Sequence, residues 1–187
     1  MNALPESWNA ERSALVAEVL RRGGHDRVRG KIRGESMLPA LWPGDVVEIE
    51  SCSLDNVRPG DIVLAQRDER LVLHRLVACR RPTGFLLRGD CVPSPDPLLP
   101  PEALLGRLVS RGGDGQETPA GALRQWLGAR WARALGVLFC YCGIARRLAL
   151  KIHGWRTGRT LDSGRRQPVL SIAAETRLAA PLRRGCQ

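Results

Sequence analysis

The chain has 187 residues and a formal net charge of +10, from 29 Lys+Arg against 19 Asp+Glu. Its 43% apolar residues can form a core, while 20 Gly and 13 Pro indicate many turns, which excludes a fibrous or fully disordered chain. This length fits one domain with extensions. Residues 1–120 carry 16 basic and 17 acidic side chains, whereas residues 121–187 carry 13 basic and 2 acidic. The basic C-terminal third therefore favours an acidic partner.

The N-terminal segment predicts one short helix and no export signal. Apolar residues recur at helical spacing over residues 8–22, and two glycines follow as a stop signal. Charged residues interrupt the apolar run and no basic segment precedes it, so the pattern is not that of a secretory signal peptide. We expect residues 1–24 to form an N-terminal helix. We also expect the protein to act on the cytoplasmic side, either free or attached to the membrane as a peripheral or monotopic protein.

From residue 25 onward apolar and polar residues alternate, which predicts strands over residues 28–33, 45–50, 61–66, 70–79, 84–88 and 103–110. Pro-Gly-Asp runs at 43–45 and 59–61 each place a tight turn before a strand. We expect residues 25–118 to form a twisted, antiparallel β domain in a mainly β (α+β) protein. Residues 111–119 are polar and predict a linker.

In residues 121–152 the apolar residues again recur at helical spacing. The uncharged part, residues 134–145, would form a helix only about 18 Å long, shorter than the roughly 30 Å hydrocarbon core of a membrane. Two interpretations stay open for a basic helical segment over 119–155: it lies on an anionic membrane surface, or it packs on the β domain. We expect residues 156–187 to be a disordered basic tail. One apolar stripe is predicted, formed by Leu123, Leu127, Trp131, Ala134, Leu138, Tyr141, Ala145, Leu148 and Ile152.

The six cysteines show neither C-x-x-C metal spacing nor the density of a disulfide-stabilised secreted domain. We therefore expect free thiols, no metal site and no cofactor.

The segment around Ser36 carries the strongest chemical signal. It is Arg33-Gly34-Glu35-Ser36-Met37-Leu38-Pro39, and Gly44-Asp45 follows. A serine on a corner after a strand can expose its hydroxyl while its backbone N–H points at a bound carbonyl oxygen, as acyl transfer requires. Taken alone, such a serine is more often the cap of a short turn.

Further blocks follow this serine in order along the chain. They are Gly60-Asp61-Ile62-Val63, Leu73-His74-Arg75-Leu76-Val77, Arg88-Gly89-Asp90 up to Asp96, and Gly106-Arg107-Leu108-Val109. Over about residues 28–110 the chain thus resembles type I signal peptidases and the related self-cleaving SOS-repressor peptidases, in which G-x-S-M is followed by Gly-Asp. The resemblance implies a signal-peptidase-like β fold with Ser36 as nucleophile.

The resemblance also implies the other catalytic roles. Bacterial housekeeping signal peptidases and SOS-repressor peptidases use a lysine base, whereas archaeal and endoplasmic-reticulum enzymes use a histidine. At that block this chain has His74, and Asp96 matches the acid of the endoplasmic-reticulum enzymes. Asp90 stays open as a possible acid or as a structural residue bound mainly to backbone. Many signal peptidases have a serine where this chain has Gly34, so the oxyanion hole would consist of backbone donors, chiefly the Ser36 N–H.

Three functions stay open. The first is a signal-peptidase-like serine endopeptidase that cleaves a peptide or precursor after small side chains, with an anionic membrane surface as a further partner of residues 121–155. The second is a self-cleaving regulator of the SOS-repressor type. The third is a non-catalytic scaffold whose basic tail binds anionic membrane or nucleic acid. In the basic part of the chain, aromatic interleaving is confined to the tryptophans around the apolar helix, Trp126, Trp131 and Trp155, which favours lipid over bases, so no nucleic-acid partner is expected.

Overall fold

One antiparallel sheet of eight strands forms the centre of the protein. The computed structural model describes residues 6–22, 27–68, 70–113, 116–119, 121, 130–156 and 170–171. The strands are β1 (Arg27–Ile32), β2 (Val46–Ser51), β3 (Ile62–Arg67), β4 (Arg70–Arg80), β5 (Gly84–Arg88), β6 (Leu104–Gly113), β7 (Gln116–Pro119) and β8 (Leu170–Ser171). Their order in the sheet is β5-β4-β3-β6-β2-β1-β8, and β7 pairs with β6. This architecture confirms the predicted mainly β, α+β class.

Three helices accompany the sheet in the described ranges: α1 (Glu6–Arg21), α2 (Arg130–Tyr141) and α3 (Gly143–Arg156). The first helix confirms the predicted N-terminal helix, with both ends within two residues. It buries Val16, Ala17 and Leu20 in an apolar cluster with residues of the sheet. Because these three positions share one helical face, the opposite face of α1 stays in solvent.

Alternation along the strands divides the buried residues between two faces of the sheet. On β3, Leu64 belongs to the cluster that includes α1, whereas Val63 belongs to a second cluster. On β4, Leu73 lies in the first cluster and Val72 in the second. His74 has the parity of Val72, so its side chain lies on the face away from α1.

Both predicted Pro-Gly-Asp turns are present and share one geometry. Gly44 and Gly60 have φ of 98° and 100°, a region that glycine adopts without steric cost. The carboxylates of Asp45 and Asp61 each accept the backbone N–H of the residue three positions earlier, at 2.8 Å. Each turn therefore closes on itself before its strand begins.

The same turns also fix the two segments on which the candidate site depends. The N–H of Gly44 donates to the carbonyl of Ile32 at 2.8 Å, which holds the end of β1 four residues before Ser36. The N–H of Gly60 donates to the carbonyl of Leu76 at 2.8 Å, two residues after His74. Two equivalent turns thus anchor the strands that carry these side chains.

The prediction of a polar linker over residues 111–119 is wrong. Strand β6 continues to Gly113, and β7 pairs antiparallel with it from Gln116 to Pro119. The polar composition reflects a short strand that pairs on one side with β6 and on the other side with no strand of the described ranges, and polar side chains are common at such an edge.

The predictions for the C-terminal part also need correction. Helix α2 ends at Tyr141 and α3 begins at Gly143, so residues 130–156 form two helices and not one. The weak helix former Gly143 marks the break. In the predicted tail, Leu170–Ser171 pairs with β1 as β8, which contradicts disorder there. The predictions for residues 122–129, 157–169 and 172–187 fall outside the described residues.

Candidate active site

The turn that carries Ser36 is held by its own apolar residues. The N–H of Leu38 donates to the carbonyl of Glu35 at 3.2 Å, and that of Leu41 to Met37 at 2.9 Å. The side chains of Met37, Leu38 and Leu41 are buried, whereas Ser36 is only half-buried. The apolar residues after the serine therefore anchor the turn and leave its hydroxyl accessible.

A second loop presses directly against the serine. The N–H of Cys91 donates to the carbonyl of Ser36 at 2.8 Å. A Cβ added at Gly89 would lie 2.7 Å from the Ser36 carbonyl oxygen and 3.2 Å from its Cβ. Only glycine allows this approach, so the Arg88-Gly89-Asp90 segment fixes the position of the serine.

Ser36, His74 and Asp96 form one hydrogen-bonded line. The Oγ atom of Ser36 lies 3.0 Å from Nε2 of His74, and Oδ2 of Asp96 lies 2.5 Å from Nδ1. His74 is only 6% exposed, so its ring is held between these two partners. The predicted proximity of Ser36 to His74 and of Asp96 to the far ring nitrogen is confirmed. A hydroxyl, an imidazole and a carboxylate joined in this order have the geometry that a serine-hydrolase triad requires.

Arg67 contacts the other oxygen of the Asp96 carboxylate. Its Nη1 atom donates to Oδ1 of Asp96 at 2.7 Å. Burial raises the pKa of Asp96. The hydrogen bonds and charges of His74 and Arg67 lower it by more than burial raises it, so the pKa of Asp96 lies below its ordinary value. Asp96 is therefore a carboxylate at neutral pH and can accept a hydrogen bond from the Nδ1–H of His74.

Asp90 has a different partner from the one the sequence led us to expect. Its carboxylate accepts two hydrogen bonds at 2.8 Å from Nε and Nη2 of Arg75, and Arg75 also donates to the carbonyl of Gly60 at 2.6 Å. The prediction that Asp90 bonds mainly to backbone is wrong. Because Arg75 directly follows His74 on β4, the two side chains point to opposite faces of the strand. Asp90 pairs with Arg75 and not with His74. This pair ties the Gly89 loop to the Gly60 turn.

Among the described residues, the other potential nucleophiles and bases make no hydrogen bond to the side chains of Ser36, His74 or Asp96. Burial raises the pKa of the Cys91 thiol, although Arg146 opposes the shift, so Cys91 is a thiol and not a competing thiolate. Lys31 and Lys151 are exposed, on β1 and α3 respectively. No group of three side chains able to hold a metal ion occurs in the described ranges.

Sequence reasoning missed the two arginines that hold the acidic residues. Arg75 stands beside His74 in the base block, but nothing local indicates that it reaches Asp90. Arg67 lies on the same face as His74, because Val63 is directly opposite His74 in the β3–β4 pairing and Arg67 has the parity of Val63. That register would have revealed Arg67 as a neighbour of the base.

Comparisons with protein-family models, with curated proteins and with solved structures each found no match. The candidate site therefore stands on the geometry of its residues.

Proposed function

We propose that the protein is a serine endopeptidase that cleaves a peptide or precursor by acyl transfer, with Ser36 as nucleophile, His74 as general base and Asp96 as orienting acid. The observation that carries the proposal is the line from Ser36 Oγ to His74 Nε2 and from His74 Nδ1 to Asp96. A purely structural histidine needs one satisfied hydrogen bond, whereas this ring joins a hydroxyl on a turn to a carboxylate. The motif resemblance supports the same three roles.

In the proposed reaction, Nε2 of His74 takes the Ser36 proton as Oγ bonds to the scissile carbonyl carbon. The imidazolium then gives that proton to the leaving amine, the C–N bond breaks, and an ester on Ser36 remains. A water molecule, activated by His74 in the same way, hydrolyses this ester and regenerates the serine. Asp96 keeps the Nδ1 proton in place and stabilises the imidazolium at each step.

A backbone oxyanion site completes the proposal. No hydrogen-bond acceptor is assigned to the Ser36 N–H among the residues that the structure describes, while the carbonyl of Ser36 is fixed by Cys91. The Ser36 N–H shares its peptide plane with the Glu35 carbonyl, and that carbonyl accepts a hydrogen bond from the Leu38 N–H at 3.2 Å, so the plane that carries the Ser36 N–H is held. The Ser36 N–H is the donor we assign to the developing oxyanion, as Gly34 has no side chain to contribute.

The test is a cleavage assay with the full chain on a panel of peptides. One half of the panel has Ala, Gly or Ser before the scissile bond, and the matched half has Leu or Arg there. Mass spectrometry identifies the products, and the chain incubated alone reports self-cleavage, the alternative of a self-cleaving regulator. We expect cleavage after the small residues by the wild type and by the exposed control Ser53→Ala, and none by Ser36→Ala. Cleavage that persists in Ser36→Ala, or a folded wild type inert toward every peptide, contradicts the proposal.

A further inference from the structure

The outward faces of α2 and α3 carry an unusual concentration of exposed apolar side chains. Of the ten large apolar residues exposed in the described ranges, seven lie on these two helices. Ile144 and Trp155 are 80% and 82% exposed. We name these seven the outer apolar face: Val137, Leu138, Tyr141, Ile144, Leu148, Ile152 and Trp155.

The β domain packs on the other side of these helices and does not cover the outer apolar face. The inner side of the same helices is already packed, since Phe139 and Leu150 form a buried cluster with Leu38 and Cys91. Trp42 also meets Phe139 edge to face, with ring centroids 6.4 Å apart. Because the inner side of the helices packs on the β domain, the opposite apolar side is directed outward.

Charge indicates what the outer apolar face contacts. No acidic residue occurs between Glu117 and Asp162, and the residues of α2 and α3 include six basic ones. Arg147 and Lys151 are exposed on α3 beside the apolar residues. The side chain of Arg146 points inward, where its Nε lies 3.4 Å from Oε2 of Glu35. The surface is therefore apolar with positive charges along it, which complements an anionic partner.

Other occupants fit this surface less well. A second copy of the chain, related by twofold symmetry, would bring Arg147 and Lys151 of both copies toward one another, and like charges oppose such contact. Single-stranded nucleic acid requires aromatic rings on which bases stack, whereas most of this face is aliphatic. A lipid surface offers both a hydrocarbon layer and anionic headgroups.

The dimensions indicate a helix pair that lies in the membrane interface. With 12 and 14 residues, α2 and α3 are about 18 and 21 Å long, shorter than the roughly 30 Å hydrocarbon core. In the described part of the chain no helix meets the length and hydropathy needed to cross a bilayer. Tyr141 and Trp155, near the C-terminal ends of the two helices, are side chains that favour the boundary between hydrocarbon and water.

We propose that the outer apolar face of α2 and α3 docks on the surface of an anionic lipid bilayer, with Arg147 and Lys151 contacting the headgroups. The inner side of the same helices lies against the active-site segments, since a Cβ at Gly136 would be 3.2 Å from the Asp90 carbonyl oxygen and 3.9 Å from Pro39. Docking therefore places Ser36 at the membrane. That consequence rests on the proposed peptidase function, whereas the docking itself does not.

The test is co-sedimentation of the full chain with vesicles of phosphatidylcholine alone and of phosphatidylcholine with increasing phosphatidylglycerol, at low and high salt. We expect binding that rises with phosphatidylglycerol and falls with salt. Ile144→Asp and Leu148→Asp should each abolish binding, whereas the exposed control Leu15→Asp on α1 should bind like the wild type. All three sites are exposed, so folding is unaffected.

A second pair of variants isolates the charge contribution. Arg147→Glu with Lys151→Glu should weaken binding by roughly tenfold or more, from two basic side chains at the headgroups. Lys31→Glu with Arg80→Glu changes the net charge equally at exposed sites on the sheet, and its loss should be much smaller. Equal losses in the two double variants overturn the assignment of these residues.

Other results overturn the docking proposal. They are a wild type that stays in the supernatant at every lipid composition, binding unchanged in Ile144→Asp, and a dimer in analytical ultracentrifugation that Ile144→Asp dissociates without any vesicle binding. Ser36→Ala should sediment with vesicles like the wild type. A chain that binds vesicles but cleaves no peptide contradicts the proposed function alone, and one that cleaves peptides without binding contradicts the docking alone.

Discussion

His74 is held at both ring nitrogens, and its two partners come from distant parts of the sequence. Ser36 lies 38 residues before it and Asp96 lies 22 residues after it. Each of the three reaches the site through a separate backbone anchor: the Cys91 N–H bond to Ser36, the Gly60 turn beside His74, and the Asp96 N–H bond to the Leu87 carbonyl at 2.8 Å. The geometry of the site is therefore a property of the sheet and its turns.

The two aspartates of the site should respond differently to the same substitution. Asp96→Asn should lower turnover by roughly 10⁴-fold, because an amide N–H that faces Nδ1 donates a hydrogen bond where the carboxylate accepted one, which favours the wrong tautomer. Asp90→Asn should act on stability instead, costing up to about 3 kcal/mol, because it leaves the Arg75 guanidinium without its charge partner. Turnover and urea unfolding of both variants decide this. A larger loss of turnover in a folded Asp90→Asn variant contradicts the assignment.

Asp96 should also add a pH dependence to folding. Its pKa in the folded protein lies below the ordinary value, since His74 and Arg67 outweigh burial. Its stabilising contribution is therefore complete above an unfolded pKa of about 3.9 and is lost as the pH falls through the folded pKa. Urea unfolding at a series of pH values should show the wild type and Asp96→Asn converging in stability at acid pH. A difference that stays constant with pH contradicts this contribution.

Arg67 is expected to act as a positioning residue through Asp96. Arg67→Gln removes the 2.7 Å contact to Oδ1, and we expect roughly a tenfold fall in kcat with an unchanged KM, because the carboxylate loses one of its two anchors. Partial rescue in Arg67→Lys, which keeps the charge, separates this role from a loss of fold. Arg70→Gln on the neighbouring strand serves as the control and should behave as the wild type.

At the scale of elements, turns rather than strands determine the site. The alternating pattern predicted the strands to within a few residues, and the Pro-Gly-Asp runs predicted both turns. The pairing of β7 was missed because its four residues carry no apolar alternation, although the Gly-Gly-Asp-Gly run before it is a turn signal. The contact between the Gly89 loop and the Ser36 turn was not predictable, because it joins segments that are not adjacent strands.

That contact gives a prediction for the Gly89 loop. Gly89→Ala should lower turnover by at least roughly a hundredfold, since the new Cβ would lie 2.7 Å from the Ser36 carbonyl and shift the nucleophile. Gly121→Ala is the matched control, because no atom of the described residues lies within 4 Å of the corresponding Cβ. Activity of both variants is compared after circular dichroism confirms that they are folded. Full activity in Gly89→Ala contradicts the tight approach.

At the scale of the whole molecule, the sequence predicted a neutral β domain and a separate basic segment, but not how the two meet. Leu38 and Phe139 belong to one buried cluster although about a hundred residues separate them in the sequence. No local pattern predicts such a pairing. The predicted single apolar stripe mixes two surfaces: Ala145 faces inward, whereas Leu138, Tyr141 and Leu148 face outward. Helix α2 ends at Tyr141 and α3 begins at Gly143, so a stripe drawn for one continuous helix does not describe both.

The inner packing of the helices predicts that they support catalysis even without a membrane. Phe139→Ala should cost about 3–5 kcal/mol of stability, because Phe139 fills the cluster with Leu38 and Cys91. It should also lower turnover under conditions where the variant is fully folded, since Leu38 belongs to the nucleophile turn. Val137→Ala, exposed on the same helix, is the control and should change neither quantity. Unchanged turnover in folded Phe139→Ala contradicts this support.

The central claim is that Ser36 is acylated with the help of His74, and trapping the acyl-enzyme tests it most directly. The full chain is mixed with a peptide ester whose acyl part ends in alanine, quenched in acid and digested for mass spectrometry. We predict that the mass of the acyl group appears on the fragment containing Ser36, forms far more slowly in His74→Ala, and is absent in Ser36→Ala. Acylation of another residue, or equal acylation in His74→Ala, contradicts the claim.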